Sequence, residues 1–280
     1  MKLIRFGSVG SERPGCVDSQ RRFRDLSQVI SDVSPEALGA EALRELAALV
    51  VDDLPFIPSD VRLGPCVAEV GKFICVGLNY LDHVRETGAA VPVEPILFMK
   101  ATSSITGPCD NIVIPAGASK VDWEVELGVV IGASAKNVAV DDALDYVAGY
   151  CVVNDVSERG WQLQGTGQWV KGKSADSFGP IGPWLVTRDA IDDVQKLNLW
   201  LSVNGEIRQN SSTRQMIFSV KNLLSYISRY MTLLPGDIIA TGTPPGVALG
   251  ARPPVYLKPG DIVKLGIEGL GEQSQTVTAA

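Results

Sequence analysis

The chain has 280 residues, of which 45% are hydrophobic and 20% charged, with a net charge of −7 at pH 7. That length suits one large domain with an appendage, and an acidic chain lacks the clustered basic surface that nucleic-acid phosphates require. No apolar run approaches the roughly 18 residues of a membrane span, and the opening MKLIRFGSVG is too short an apolar stretch for a signal peptide, so a cytoplasmic protein without membrane contact is expected.

Residues 1–68 read as a small α+β domain. Short alternating segments precede Ser34-Pro35-Glu36, where a serine cap and a proline at the first helical position predict a helix carrying Leu38, Leu43, Leu46 and Val50. The stretch 54–65, rich in proline, then reads as a linker. From residue 69 to 280 the texture is β-rich, with short apolar runs bounded by Gly, Pro, Asp and Asn. Two segments, 233–242 and 257–266, repeat a Pro-Gly-Asp turn ahead of an alternating strand, which predicts one turn chemistry reused within one sheet. The stretches 141–150 and 220–231 are the expected helices. Without regular βαβ alternation, a mixed rolled or sandwiched sheet is expected rather than a doubly wound one.

Five cysteines at wide spacing, with no CxxC pair, fit neither a disulfide framework nor a zinc site. Cys75 and Cys151 fall in apolar runs and are expected to be buried and inert.

In DWEVELGVVIG, Glu124 and Glu126 alternate with apolar residues, so in a strand both carboxylates share a face, about 7 Å apart at the backbone. The plainer reading is a strand with one face in water. The next apolar run ends at Asn154-Asp155, and an acidic strand end suits either a turn or a ligand. Glu124, Glu126 and Asp155 together would offer hard oxygens for Mg²⁺, with Mn²⁺ or Ca²⁺ as alternatives, and leave positions for a chelating substrate. Lys173, between a glycine and a serine ahead of a Phe-Gly-Pro turn, would place a positive charge beside them.

The segments GLNYLDHVRE, DWEVELG, NDVSERGWQ, KGKSADSFGPIGP and GDIIATGTPPGV, in this order, resemble the fumarylacetoacetate hydrolase family from about Gly71 to the end. The resemblance implies a mixed β-roll core, a homodimer, and a divalent metal on Glu124, Glu126 and Asp155. It implies catalytic roles for His83, Glu86 and Lys173, and a substrate pocket lined by Tyr80, Arg159, Gln162 and Thr243. Relatives often read Arg-Asp after the metal aspartate, whereas here Arg159 precedes Gly160.

His83 is the only histidine. A short helix capped by Asn79, with Asp82 in capping-box fashion and Gly88 at its end, would put His83 and Glu86 on one face. An isolated histidine there would ordinarily be a surface residue; beside the acidic trio it becomes a candidate base that holds a water with Glu86. Residues 79–92 are expected to form a lid over bound substrate.

This chemistry suits hydrolytic cleavage of a carbon–carbon bond in a 2,4-dioxo acid. His83 with Glu86 would activate water at the C4 carbonyl, and a divalent ion would stabilise the departing pyruvate enolate. The family resemblance points further to a 2,4-diketo-3-deoxy sugar acid as substrate. Oxaloacetate decarboxylation, another lyase or isomerase reaction (ureidoglycolate lyase included), and carboxylate binding without turnover are the alternatives.

Overall fold

In the computed structural model, which describes residues 1–88 and 90–280, the run Val125–Ile131 is a strand with all seven residues buried. Both faces are covered, so the plainer reading of a half-solvated strand does not hold. Val125, Leu127, Val129 and Ile131 enter one hydrophobic cluster, while Val130 on the opposite face joins another. The alternation follows from the two-residue period of a strand.

This strand lies inside an 11-stranded sheet. Its antiparallel neighbours are Val147–Asn154 and Ile238–Ala240. Beyond Ile238–Ala240 come Phe73–Gly77, the next strand over and parallel to it, and then Ile96–Lys100 at the edge. On the other side Val147–Asn154 pairs with Gly179–Thr187, which pairs with Lys2–Phe6. A second sheet of five strands is built around Asn198–Val203, Ile262–Ile267 and Gly271–Ala279. Leu199, Leu201, Val263 and Leu265 from it pack with Leu127 and Val129, so the principal core sits between two sheets. The expected β-rich α+β sandwich is the observed architecture.

Residues 1–68 keep a small cluster of their own, Ile4, Phe6 and Ile57 with Val17, Phe23, Val61, Leu63 and Trp184, and also join the large sheet and its second core. Arg13–Val17, Phe23–Asp25 and Phe56–Ile57 continue the large sheet outward from Lys2–Phe6. Leu3, Leu26, Leu38 and Leu46 share a cluster with Phe73, Cys75, Val130 and Ile181. The stretch expected to be a linker therefore contains an edge strand, Phe56–Ile57.

The helix expected from Ser34 is split. Pro35–Ala37 forms one 3₁₀ turn, Gly39 interrupts, and α1 follows at Ala40–Ala47. The Ser34 hydroxyl donates to Glu36 rather than capping a backbone N–H. The expected helix at 141–150 is a 3₁₀ turn, Ala143–Tyr146, running into the Val147–Asn154 strand. Sheet pairing on both sides of that strand overrides its local helical pattern.

The remaining helices are α2 (Leu81–Thr87), α3 (Arg159–Leu163), α4 (Trp169–Lys173) and α5 (Val220–Tyr230). Ser219 caps α5 by accepting from the Asn222 N–H, and Leu223, Leu224 and Ile227 fill the principal core.

The two Pro-Gly-Asp turns are built alike. Gly236 and Gly260 take φ of 84° and 95°, and Asp237 and Asp261 accept the N–H of Leu234 and Lys258. They feed different sheets, however: Ile238–Ala240 belongs to the large one and Ile262–Ile267 to the small one. Among the described residues no helix is long and apolar enough to cross a membrane.

Candidate active site

The register of two strands assembles the acidic cluster. Val125 pairs with Asn154, and the Asp155 N–H donates to the Glu124 carbonyl at 2.9 Å, so Asp155 stands across from Glu124. Directly opposed residues share a face, and so do residues two apart along a strand. Glu124, Glu126 and Asp155 therefore converge, each offering an oxygen within 4.8 Å of the others. All three are buried, Asp155 completely.

Buried amides complete the strand ends where the ladder stops. Asn154 Oδ1 accepts the Glu124 N–H, and Gln209 Oε1 accepts that of Val125. Gly242, at φ 98°, donates its N–H to Glu126 Oε2 at 2.9 Å. A Cβ at Gly242 would meet Asn79 Cβ at 2.8 Å, which accounts for glycine in the ATGTPPG segment.

Three buried cations answer the carboxylates. Lys173 Nζ, at the end of α4, lies 2.7 Å from both Glu124 Oε2 and Asp155 Oδ2. Arg159, opening α3, binds Glu124 through Nη2 and Asp122 through Nε, and donates to Gln162 Oε1. Lys100 Nζ contacts Asp155 Oδ1 and donates to the Val156 carbonyl.

These contacts separate the carboxylates electrostatically. Burial opposes charge on Glu124, but Arg159 and Lys173 outweigh it and hold the group at about 2. For Glu126, burial and then the Asp155 and Glu124 charges push the carboxyl well above its usual range. Burial also opposes the Lys173 charge, yet Asp155 and Glu124 hold that ammonium above its usual value. An all-carboxylate donor set of this kind suits a hard divalent cation, which would offset the repulsion that raises Glu126.

His83 and Glu86 meet as the helical spacing predicts, with Nδ1 3.0 Å from Oε2. The second Glu86 oxygen accepts the Gly246 N–H at 3.0 Å. The capping of α2 differs from expectation. Tyr80 occupies the cap position, while Asn79 is fully buried, donating to the Phe218 and Thr241 carbonyls and accepting the Phe218 N–H. Asp82 accepts its neighbour's N–H and the Ser211 hydroxyl instead of completing a capping box. Gly88, at φ 68°, does end the helix. Ala89, inside the expected 79–92 lid, lies outside the described residues.

A cavity of about 230 Å³ brings His83, Glu124, Glu126, Arg159, Gln162, Lys173 and Thr243 to one space. Asp155 lies behind Lys173, and Glu86 behind His83. Thr243 is structurally committed, donating to the Val125 carbonyl and accepting from Gln209 Nε2. Tyr80 is buried in the principal core and is not among the cavity-lining residues; burial and the Glu126 charge push its phenol well up.

Lys100 and Asp122 escape a reading of the sequence. Asp122 ties Arg159 to the loop at 248–249 by accepting the N–H groups of Ala248 and Leu249. The only signal for Lys100 is a lysine ending the apolar strand ILFMK, a feature shared with many solvated lysines. Phe98 and Trp169, which wall the cavity, look like ordinary core aromatics. The departure at Gly160 is accommodated locally: its N–H donates to Glu158 Oε1, and a Cβ there would lie 2.8 Å from that oxygen. Four cysteines are buried and Cys109 is exposed; burial raises the Cys75 thiol well above its ordinary value.

The architecture and sequence of residues 72–278 are those of the fumarylacetoacetate hydrolases. The family's C-terminal region matches residues 72–278, and the chain belongs to this family. A Burkholderia multivorans protein designated only as a hydrolase is 58% identical, over the full length of both chains. The solved structure of fumarylacetoacetate hydrolase from Exiguobacterium antarcticum is 37% identical and superposes over all of both chains with a TM-score of 0.87. Maleylpyruvate hydrolase from Sphingobium sp. SYK-6, solved with manganese(II) and pyruvate, is 31% identical over all of both chains with a TM-score of 0.84.

Proposed function

We propose that the protein is a divalent-metal-dependent hydrolase of 2,4-dioxo acids, releasing pyruvate and a carboxylic acid. The observation that carries this reading is the convergence on one cavity of His83, backed by Glu86, with Glu124, Glu126 and Lys173. The relative solved with manganese(II) and pyruvate supports it.

A divalent ion, Mg²⁺ or Mn²⁺, held by Glu124, Glu126 and Asp155 would polarise a chelating 2-oxo acid and stabilise enolate charge. With Nδ1–H donating to Glu86, Nε2 is the basic nitrogen of His83 and takes a proton from water. The hydroxyl adds to C4, the C3–C4 bond breaks, and the proton passes to C3 of the departing pyruvate. Lys173 holds positive charge beside the developing anion, and Gln162, whose Oε1 is held by Arg159, would turn its amide N–H toward the substrate carboxylate.

The diketo-deoxy sugar acid expected from the resemblance is one member of this substrate class, but no feature of the site favours a hydroxylated acyl group. The homodimer belongs to the same reading: Ile96–Lys100 is an edge strand whose Ile96 and Met99 are 36% and 39% exposed, a surface suited to a second copy.

The test is pyruvate release from acetylpyruvate and carbon dioxide release from oxaloacetate, with Mn²⁺ and after chelation. Metal-dependent acylpyruvate cleavage exceeding decarboxylation sustains the hydrolase. Faster decarboxylation replaces it with the lyase reading, and metal binding without either reaction leaves a carboxylate-binding protein.

A further inference from the structure

The cavity lining is of two chemical kinds, which meet where Lys173 Nζ lies 5.0 Å from the centre of the Phe98 ring. The polar part is His83, Glu124, Glu126, Arg159, Gln162 and Lys173; the apolar part is Val76, Phe98, Leu163, Trp169, Val247 and Leu249. The aromatic pair in that wall is closely packed. Phe98 and Trp169 pack edge to face at 5.2 Å, and a Cβ at Gly77 would lie 2.6 Å from the Trp169 ring. Leu163 and Leu249 stand at its rim, 46% and 39% exposed. A ligand covering these side chains would remove apolar surface from water.

Apart from His83 and the Gln162 amide, which the attacking water and the 2-oxo acid would occupy, the polar groups that line the cavity have little left to offer a distal substituent. Arg159 is committed to Asp122 and Glu124, and Lys173 to Glu124 and Asp155. The Thr243 hydroxyl already donates to one group and accepts from another. Among the described residues that line the cavity, no further cation is present. A carboxylate at the far end of the substrate would be desolvated without a partner, and hydroxyls would exchange water for an apolar wall. The space, about 230 Å³, matches about eight water molecules at about 30 Å³ each, enough for a small acyl group beside the 2-oxo acid.

We infer that the substrate's acyl group is uncharged and apolar, a short branched alkyl or aryl group held against Phe98, Trp169 and the leucine rim. This rests on the 2-oxo-acid reading of the charged groups. It departs from a sugar-acid substrate and from a dicarboxylate.

The test measures binding, by calorimetry, of 2-oxo acids that lack the C4 carbonyl and so are not cleaved. The Mn²⁺-loaded protein is titrated with pyruvate, 2-oxobutanoate, 2-oxohexanoate and 4-phenyl-2-oxobutanoate, then with 2-oxoadipate and a hydroxylated 2-oxo-3-deoxy acid. Affinity is expected to rise about fourfold per added methylene, with the phenyl compound tightest and the last two no tighter than pyruvate. Trp169→Ala should flatten the rise along the series. Tighter binding of 2-oxoadipate or the hydroxylated acid overturns the inference, as does a flat series in the parent protein. An apolar series that binds while no acylpyruvate is cleaved retires the hydrolase and leaves the apolar arm standing. Cleavage of acylpyruvates with a flat series does the reverse.

Discussion

His83 Nδ1 lies 3.0 Å from Glu86 Oε2, while the other oxygen of the same carboxylate accepts the Gly246 N–H. Glu86 thus orients the imidazole and anchors α2 to the loop that follows Thr243. His83→Ala should lower pyruvate release by about 10²–10⁴-fold, the usual range for a general base, while Mn²⁺ affinity stays near that of the parent. Glu86→Gln keeps an acceptor for Gly246 but loses the charge behind His83, so a smaller loss is expected. Steady-state kinetics beside metal titration separates the two; equal activity in parent and His83→Ala would remove the base from the mechanism.

The raised carboxyl of Glu126 makes metal binding pH-dependent. A proton and a cation compete for this site, so Mn²⁺ affinity should fall as pH falls below the raised value, with proton release on binding. The stability effect in the chelated protein has a definite sign. Burial and the Asp155 and Glu124 charges raise Glu126 in the folded state. Its contribution is therefore present below the usual carboxylate range and lost as pH rises through the elevated one. Glu124, held at about 2 against burial by Arg159 and Lys173, behaves oppositely and loses its contribution as pH falls from the usual range toward about 2. Melting temperatures of the chelated protein, followed upward from pH 5, should decline relative to the Mn²⁺-loaded protein. A constant difference between the two forms would contradict this account.

Lys100 and Lys173 both hold Asp155, but only Lys173 lines the cavity. Lys100→Met leaves one oxygen of a fully buried carboxylate without its cation. Breaking such a pair costs about 3–5 kcal/mol, read as a lowered denaturation midpoint in chelator. Added Mn²⁺ should recover part of that loss, because the metal takes over the uncompensated charge. An unchanged midpoint would mean that Lys100 adds nothing to the stability of the cluster.

Much of this site is legible from local sequence. Glu124 and Glu126 share a face because a strand repeats every two residues, and Asp155 lies where an apolar run stops. His83 and Glu86 meet through helical spacing alone. Lys100 is legible only after Ile96–Lys100 and Val125–Ile131 join one sheet, and Asp122 only after Val121–Asp122 pairs with Ser157–Glu158 next to Arg159, relationships that no local pattern records. The misread helix at 141–150 has the same origin, since Val147–Asn154 owes its conformation to neighbours on both sides. Asn79 shows a further limit: its side chain suits a helix cap, yet three bonds to residues 218 and 241 claim it.

The helix α2 is attached to the rest of the protein by polar contacts on opposite ends of its first and last turns. Asp82 Oδ2 accepts the Ser211 hydroxyl at 2.6 Å, and Glu86 accepts Gly246 N–H. Among the described side chains of α2, Val84 is the one deeply buried apolar residue, so little hydrophobic area opposes its release. Opening should therefore cost far less than global unfolding, and ligand that contacts His83 should suppress it. Hydrogen exchange across residues 81–88 is expected to slow when Mn²⁺ and pyruvate are added together, with Val220–Tyr230 unchanged as an internal control. Ser211→Ala should speed exchange in α2 without ligand and preserve the slowing with it. Equal exchange with and without ligand would show that α2 is a fixed wall of the cavity rather than a lid.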